Sequence, residues 1–166
     1  EKTASLTREL KHEIMSQALL TKEIVELLNE LYLPLVNTGK RVLGIGVGSP
    51  GLIDFNNSAE PVYTDFNLLQ ELPVKLAIER NFSLPVYIDH NINTIALAIK
   101  TLDAEHQDDD FVLFSIRKSV HISCFINGQL IRGRNNSAGE IGHIPVPGNR
   151  RPCSCGRYGC IDTLAS

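Results

Sequence analysis

No stretch of this chain is apolar for long enough to span a bilayer, and no targeting segment is visible at its start. A basic excess is missing too: 16 Lys and Arg stand against 19 Asp and Glu, for a net charge of −3. That balance leaves no electrostatic footprint for nucleic acid within these residues. Internal repeats and low-complexity linkers are absent, so residues 1–166 read as one domain with enough chain for one core. Cysteine is sparse, at four residues, and without a signal peptide a disulfide-stapled secreted scaffold is a poor fit. The expected compartment is the cytoplasm, with no membrane partner. The chain opens on Glu1 rather than Met and stops at Ser166 just as a helix begins, which reads as a fragment of a longer protein.

What the chain does have is a concentrated run from Ala138 to Asp162, AGEIGHIPVPGNRRPCSCGRYGCID. It sets His143, Cys153, Cys155 and Cys160 in H-x9-C-x-C-x4-C spacing. Zinc takes four ligands tetrahedrally from thiolate sulfur and imidazole nitrogen, and three cysteines with one histidine form one of its closed structural sets. A short loop poor in apolar residues has no core of its own, and a metal clip replaces it. Disulfides, or plain buried thiols, are the alternative reading of the cysteines. Cys124 lies in the alternating segment VHISCFI and reads as a small buried hydrophobe. His12 and His121 sit in no motif and read as surface or core residues.

Apolar residues at Ile24, Leu27, Leu28, Leu31 and Leu35 predict an amphipathic helix over 22–36, with Thr21 as its cap and Gly39 beyond its end. Residues 6–20 stay ambiguous between helix and strand. Strands are predicted over 41–47, 84–89, 111–116 and 120–126, and helices over 74–81 and 91–102. On the last of these helices Ile92, Ile95, Ala96 and Ile99 form the packed face. Residues 48–51 make a turn, and Asn127-Gly128 is a hairpin signal leading into 129–131. The acidic run Asp108-Asp109-Asp110 reads as a solvated loop, with a cation site as the alternative. Alternating strands and helices followed by a hairpin give an α/β layer fold.

These motifs resemble the ROK family of repressors, open reading frames and sugar kinases. AGEIGH followed by CSCGRYGC carries the resemblance, and GIGVGSPGLID, ELPV, LPVYIDHNINTIALA and INGQLIRG stand ahead of it in the family's order. The likeness covers the chain beyond about Lys40, and LPVYIDHN resembles the N-acetylglucosamine-type repressor branch. It implies the actin-like, ribonuclease H-like fold of sugar kinases, present here in part. In that fold two lobes enclose a cleft with the sugar deep inside. The chain would then be a single ROK-type sugar-binding domain fragment, with its zinc loop at 143–160.

The resemblance also implies roles. The family's catalytic aspartate follows an asparagine where a strand meets a helix, and that pair falls on His90 and Asn91. Asparagine keeps a hydrogen bond to a sugar hydroxyl but cannot take its proton. A shifted register would make Asp89 the base instead. The family's phosphate hairpin needs glycines where Arg117, Ser119, His121 and Ser123 stand, and side chains there crowd a triphosphate. An ordinary hairpin, or an anion site built on Arg117, is what remains. No phosphorylation, ATP or magnesium is therefore expected.

On the sugar side the resemblance implies contacts from Gly51, His90, Asn91, Glu140, His143 and Asp162, with Asp65 or Asn67 reaching in from the next loop. His143 would place its other ring nitrogen on zinc. Asp162 stands where the family usually carries glutamate. The expectation is the sugar-sensing effector domain of a ROK-type transcriptional regulator, binding a hexose or N-acetyl amino sugar. It would reach DNA through a region outside this chain and assemble as a homo-oligomer. An ATP-dependent sugar kinase of the glucokinase or N-acetyl amino sugar type and a zinc-stapled scaffold are the competing classes.

Overall fold

The computed structural model describes residues 4–9, 17–50, 52–54, 60–62 and 74–165. Helix α1 (Gln17–Asn37) starts ahead of the predicted span, so Thr21 lies inside it and is not its cap. The reason is an apolar stripe that begins at Leu20 and runs on through Ile24, Leu28 and Tyr32, all packed on the core. Its end follows the sequence signal: the Gly39 N–H donates to the Val36 carbonyl and the Lys40 N–H to the Leu35 carbonyl. Residues 4–9 hold neither helix nor strand, and Arg8 pairs there with Glu23 at 2.9 Å and with Glu30. The rest of the ambiguous stretch, 10–16, lies outside the described residues together with His12.

Strand β1 (Ile45–Ser49) is followed by an antiparallel pair, β2 (Leu52–Asp54) and β3 (Glu60–Val62). Helix α2 (Val74–Phe82) buries Val74, Ile78 and Phe82 along one face, and Phe82 meets Tyr32 of α1 edge to face at 5.2 Å. Strand β4 (Val86–His90) runs parallel to β1, with Gly48 opposite Asp89 and Ser49 opposite His90. Both strands begin later than the sequence predicts. Pro85, which has no N–H to give, contributes only its carbonyl, accepting from Ile45 at 3.0 Å, and the ladder starts after it. The main core gathers Ile53, Val74, Ile78, Phe82, Val86 and Ile88 beneath α1. On β4, Val86, Ile88 and His90 alternate inward, which carries the histidine into the interior.

Helix α3 (Asn91–Leu102) occupies the predicted span. Its packed face differs: Ile92 and Ala96 are buried, Ile95 is 50% exposed, and Asn93 is buried in its stead. The helix is wedged between the β1/β4 pair and the following sheet, and Asn93 faces that sheet. There its side-chain oxygen accepts the Ser123 hydroxyl at 2.8 Å, which satisfies an otherwise costly buried amide. The sheet itself is antiparallel, formed by β5 (Phe111–Ile116), β6 (Val120–Ile126) and β7 (Gln129–Leu130). Asn127 and Gly128 both take positive φ, 51° and 72°, as a two-residue hairpin of this hand requires. Asp110 accepts the Asn127 N–H at 2.7 Å, so the last member of the acidic run braces that turn. A 3₁₀ turn (Ile141–His143) and the short helix α4 (Asp162–Ala165) complete the described chain. No described helix is long and apolar enough to cross a membrane.

Candidate functional site

The carboxyl ends of β1 and β4 lie side by side, and ligands of open α/β sheets gather at such ends. A cleft of about 1240 Å³ opens there, bordered by His90, Asn91, Arg117, His121, Glu140 and His143 among others. Asp89 immediately precedes His90 at the end of β4. Its carboxylate accepts two guanidinium N–H groups of Arg132 at 2.9 and 2.5 Å, the Asn93 amide at 3.1 Å and the His90 N–H at 2.7 Å. Burial pushes this carboxyl up, but the four donors outweigh it and hold it below its ordinary range. A carboxylate so held is a poor proton acceptor. Asn91 opens α3 with an exposed side chain, and its carbonyl accepts the Thr94 hydroxyl at 2.7 Å.

Arg132 was invisible as a site residue in the sequence because its partner lies across the fold. Truncating it as Arg132→Ala leaves a half-buried carboxylate short of its main donors and is expected to cost about 2 kcal/mol. A double-mutant cycle with Asp89→Asn, read by urea unfolding, should return a coupling of roughly 1–3 kcal/mol. A coupling near zero would show the pair to be a solvated contact.

On β6 and the turn before it, positions for which the resemblance implies glycine carry side chains that make polar contacts. Ser119 donates to Asp162 at 2.5 Å and Ser123 to Asn93 at 2.8 Å. His121 turns its Nδ1 to within 3.4 Å of Glu140 Oε1. Arg117 borders the cleft.

The AGEIGH segment docks onto β6 through glycine. Ile122 donates its N–H to the Gly139 carbonyl at 3.0 Å. A Cβ at Gly139, where φ is +100°, would stand 2.0 Å from the Ile122 carbonyl oxygen, and one at Gly142 would stand 2.1 Å from the Asp162 carboxylate. Only a residue without a side chain allows this approach. The docking brings Glu140 and His143 to the cleft wall. Burial pushes the Glu140 carboxyl up, and His121, His90 and His143 together bring it below its ordinary value. Burial holds His90 low, so its imidazole is neutral near pH 7.

Asp162 is buried at the start of α4. Besides Ser119 it accepts the Val120 N–H at 2.8 Å, and its Oδ2 lies 3.7 Å from His143 Nδ1. Both of its oxygens therefore serve protein groups, tying the hairpin to the loop that follows AGEIGH. Gly51, Asp65 and Asn67 lie outside the described residues, as does most of ELPV.

That loop folds back on itself. The Cys153 N–H donates to the Arg157 carbonyl at 2.8 Å, the Val146 N–H to the Gly159 carbonyl at 2.7 Å, and the Asn149 amide to the Cys160 carbonyl at 3.2 Å. The result brings the donor atoms of His143, Cys153, Cys155 and Cys160 within 4.8 Å of one another. Cys153 Sγ lies 3.6 Å from His143 Nδ1, and Cys155 Sγ lies 3.7 Å from Cys160 Sγ. A tetrahedral ion with bonds of about 2.3 Å to sulfur and about 2.05 Å to nitrogen sets those separations near ~3.6 and ~3.8 Å. The four residues fit such an ion. A disulfide needs sulfurs at about 2.05 Å, and all four cysteines of the chain, Cys124 included, are free thiols. The Arg157 backbone N–H and guanidinium bring the Cys155 thiol down to about 6, while burial drives Cys160 up to about 11.

The family profile described as "ROK family" matches residues 3–166. The chain is 30% identical over 148 residues to the xylose repressor of Bacillus subtilis, covering 89% of this chain and 38% of that protein. It is 32% identical over 151 residues to a glucokinase of Halalkalibacterium halodurans, covering 90% and 45%. A solved ROK family transcriptional regulator, a homologue of the Escherichia coli MLC protein, superposes with a TM-score of 0.78 at 27% identity, covering 92% of this chain and 38% of that one. The chain therefore spans less than half the length of these relatives. Its architecture is the actin-like, ribonuclease H-like fold shared by the family's sugar kinases and regulators. With the AGEIGH turn, the four-donor cysteine loop and the profile match all on one chain, this protein belongs to the ROK family.

Proposed function

We propose that this chain is the sugar-sensing part of a ROK-family transcriptional regulator, binding a hexose or N-acetyl amino sugar without phosphorylating it. One observation carries the reading. The carboxylate nearest the expected base position, Asp89, is clamped by Arg132, and the residue at that position is Asn91. No described carboxylate is left free at the end of β4 to take a hydroxyl proton. The hairpin supports the same reading, since Ser119, His121 and Ser123 carry side chains already engaged with Asp162, Glu140 and Asn93 where the family resemblance would place glycines.

Sugar contacts are assigned to Glu140 and to His143 Nε2, with His90 and Asn91 beside them. His143 turns Nδ1 towards the cysteines, leaving Nε2 for the cleft. The Cys3His group is read as a zinc site, in which the ion would fix the ring's tautomer and orientation and hold the thiolates together. Asp162 is read as a positioning residue behind His143 rather than a sugar contact. Free thiols in the loop suit a reducing cytoplasm. Sugar would shift the cleft between open and closed states and so change DNA affinity through a region outside these residues, in a homo-oligomer.

The test pairs calorimetry with a phosphoryl-transfer assay containing magnesium and ATP, across hexoses and N-acetyl amino sugars. Binding without turnover is expected. Glu140→Gln should weaken that binding about 10- to 100-fold, the worth of a charged hydrogen bond. Turnover would instead favour a sugar kinase, the reading that the glucokinase relative supports. Absence of binding to every sugar would leave the scaffold reading.

A further inference from the structure

Three titratable side chains from three separate elements meet in the cleft that the cysteine loop also borders. His90 closes β4, His121 lies on β6, and Glu140 precedes the 3₁₀ turn. One ligand atom from each falls within 4.8 Å of the other two. Glu140 Oε1 lies 3.4 Å from His121 Nδ1 and 3.8 Å from His90 Nε2. The two imidazole rings do not stack. Their centroids are 5.0 Å apart and their planes are inclined by 55°.

We propose that His90, His121 and Glu140 form a second metal site, distinct from the Cys3His group, which takes a first-row divalent ion such as zinc. Two imidazole nitrogens and one carboxylate oxygen are the donor set of open zinc sites, with further positions left for water or a ligand. Bonds of 2.0–2.2 Å at angles between 90° and 120° place such nitrogen and oxygen donors about 2.8–3.8 Å apart. The first separation falls inside that range and the second at its upper end.

A second observation points to a missing ligand. His90 is 6% exposed, and its Nε2 is buried without a hydrogen-bond partner. A buried polar atom left so is costly, and a cation would satisfy it. The protonation states suit the role as well: burial keeps His90 neutral, with its lone pair available, and its neighbours keep Glu140 ionised. The exposed group of Asp103, Glu105 and His106 lacks this character, since His106 Nδ1 already meets Asp103 at 3.0 Å. The open positions of the proposed ion would face the cleft and accept paired oxygens, such as neighbouring hydroxyls or a carboxylate.

The proposal does not rest on the sugar reading, and its test uses none. The full chain is stripped with chelator, then titrated with cobalt(II) under reducing conditions while bound metal is counted and absorption recorded. Thiolate charge transfer reports only the cysteine loop. Two ions per chain are expected, with the charge-transfer band complete after one. In His121→Gln and in His90→Gln the count should fall to one with the band intact. A wild-type count of one would overturn the proposal, whatever the variants do. So would two ions retained in both folded variants.

Discussion

Cys155→Ser is expected to lower the melting temperature by roughly 8–16 °C and to abolish binding of the zinc proposed for the cysteine loop. The figure follows from linkage. An ion at a thousandfold excess over its dissociation constant contributes about 4 kcal/mol. In a chain of this size each kcal/mol moves the midpoint by about 2–4 °C. The loop between His143 and Cys160 has little else to hold it: its only buried apolar member is Cys160 itself, and its backbone bonds are turns and two isolated bridges. Chelation of the wild type should produce at least this shift, and chelator added to Cys155→Ser should add only what the proposed His90, His121 and Glu140 site contributes. Cys124→Ser, outside the cluster, serves as the control and should leave the metal in place. A Cys155→Ser melting curve that overlays the wild type would mean that hydrogen bonds alone hold the loop.

The second large effect concerns how AGEIGH is seated. Gly139→Ala should cost about 3–5 kcal/mol in urea unfolding, because two penalties combine. The residue must keep φ at +100°, and the new methyl meets the Ile122 carbonyl oxygen at 2.0 Å, a backbone atom with nowhere to go. Gly142→Ala should be similarly severe, since its methyl strikes both the Asp162 carboxylate and the Val120 carbonyl, the latter at 2.7 Å. Gly148→Ala separates the two causes. It has φ of +81° but nothing within 4 Å of its Cβ, so it should cost only about 1 kcal/mol of backbone strain. Equal losses at Gly139 and Gly148 would show that the docking contact contributes nothing beyond conformation.

Parts of this molecule were legible before any coordinates. The span of α3 and the Asn127-Gly128 hairpin depend on local periodicity and on two residues that tolerate positive φ. The family and its fold were legible for a related reason: several short motifs occur in a set order. Where local pattern met tertiary contact, contact won. Ile95 belongs to an apolar stripe by spacing, but α3 turns Asn93 inward because Ser123 waits there to pair with it. Thr21 looks like a cap, but Leu20 before it had core to bury and the helix ran on.

The same division runs through the site. By itself the sequence determined the cysteine loop, because its four donors lie close along the chain and glycines between them permit the turns. It also supplied the residue identities, Asn91 and the side chains at 117, 119, 121 and 123, on which the proposed loss of phosphoryl transfer rests. Only the tertiary structure decided that Asp89 belongs to Arg132, that Asp162 braces the hairpin, and that His90 and His121 share Glu140. Those pairs come from elements far apart in the chain. Periodicity reports which way a side chain faces, whereas the group it meets depends on how helices and strands pack, which no local pattern carries.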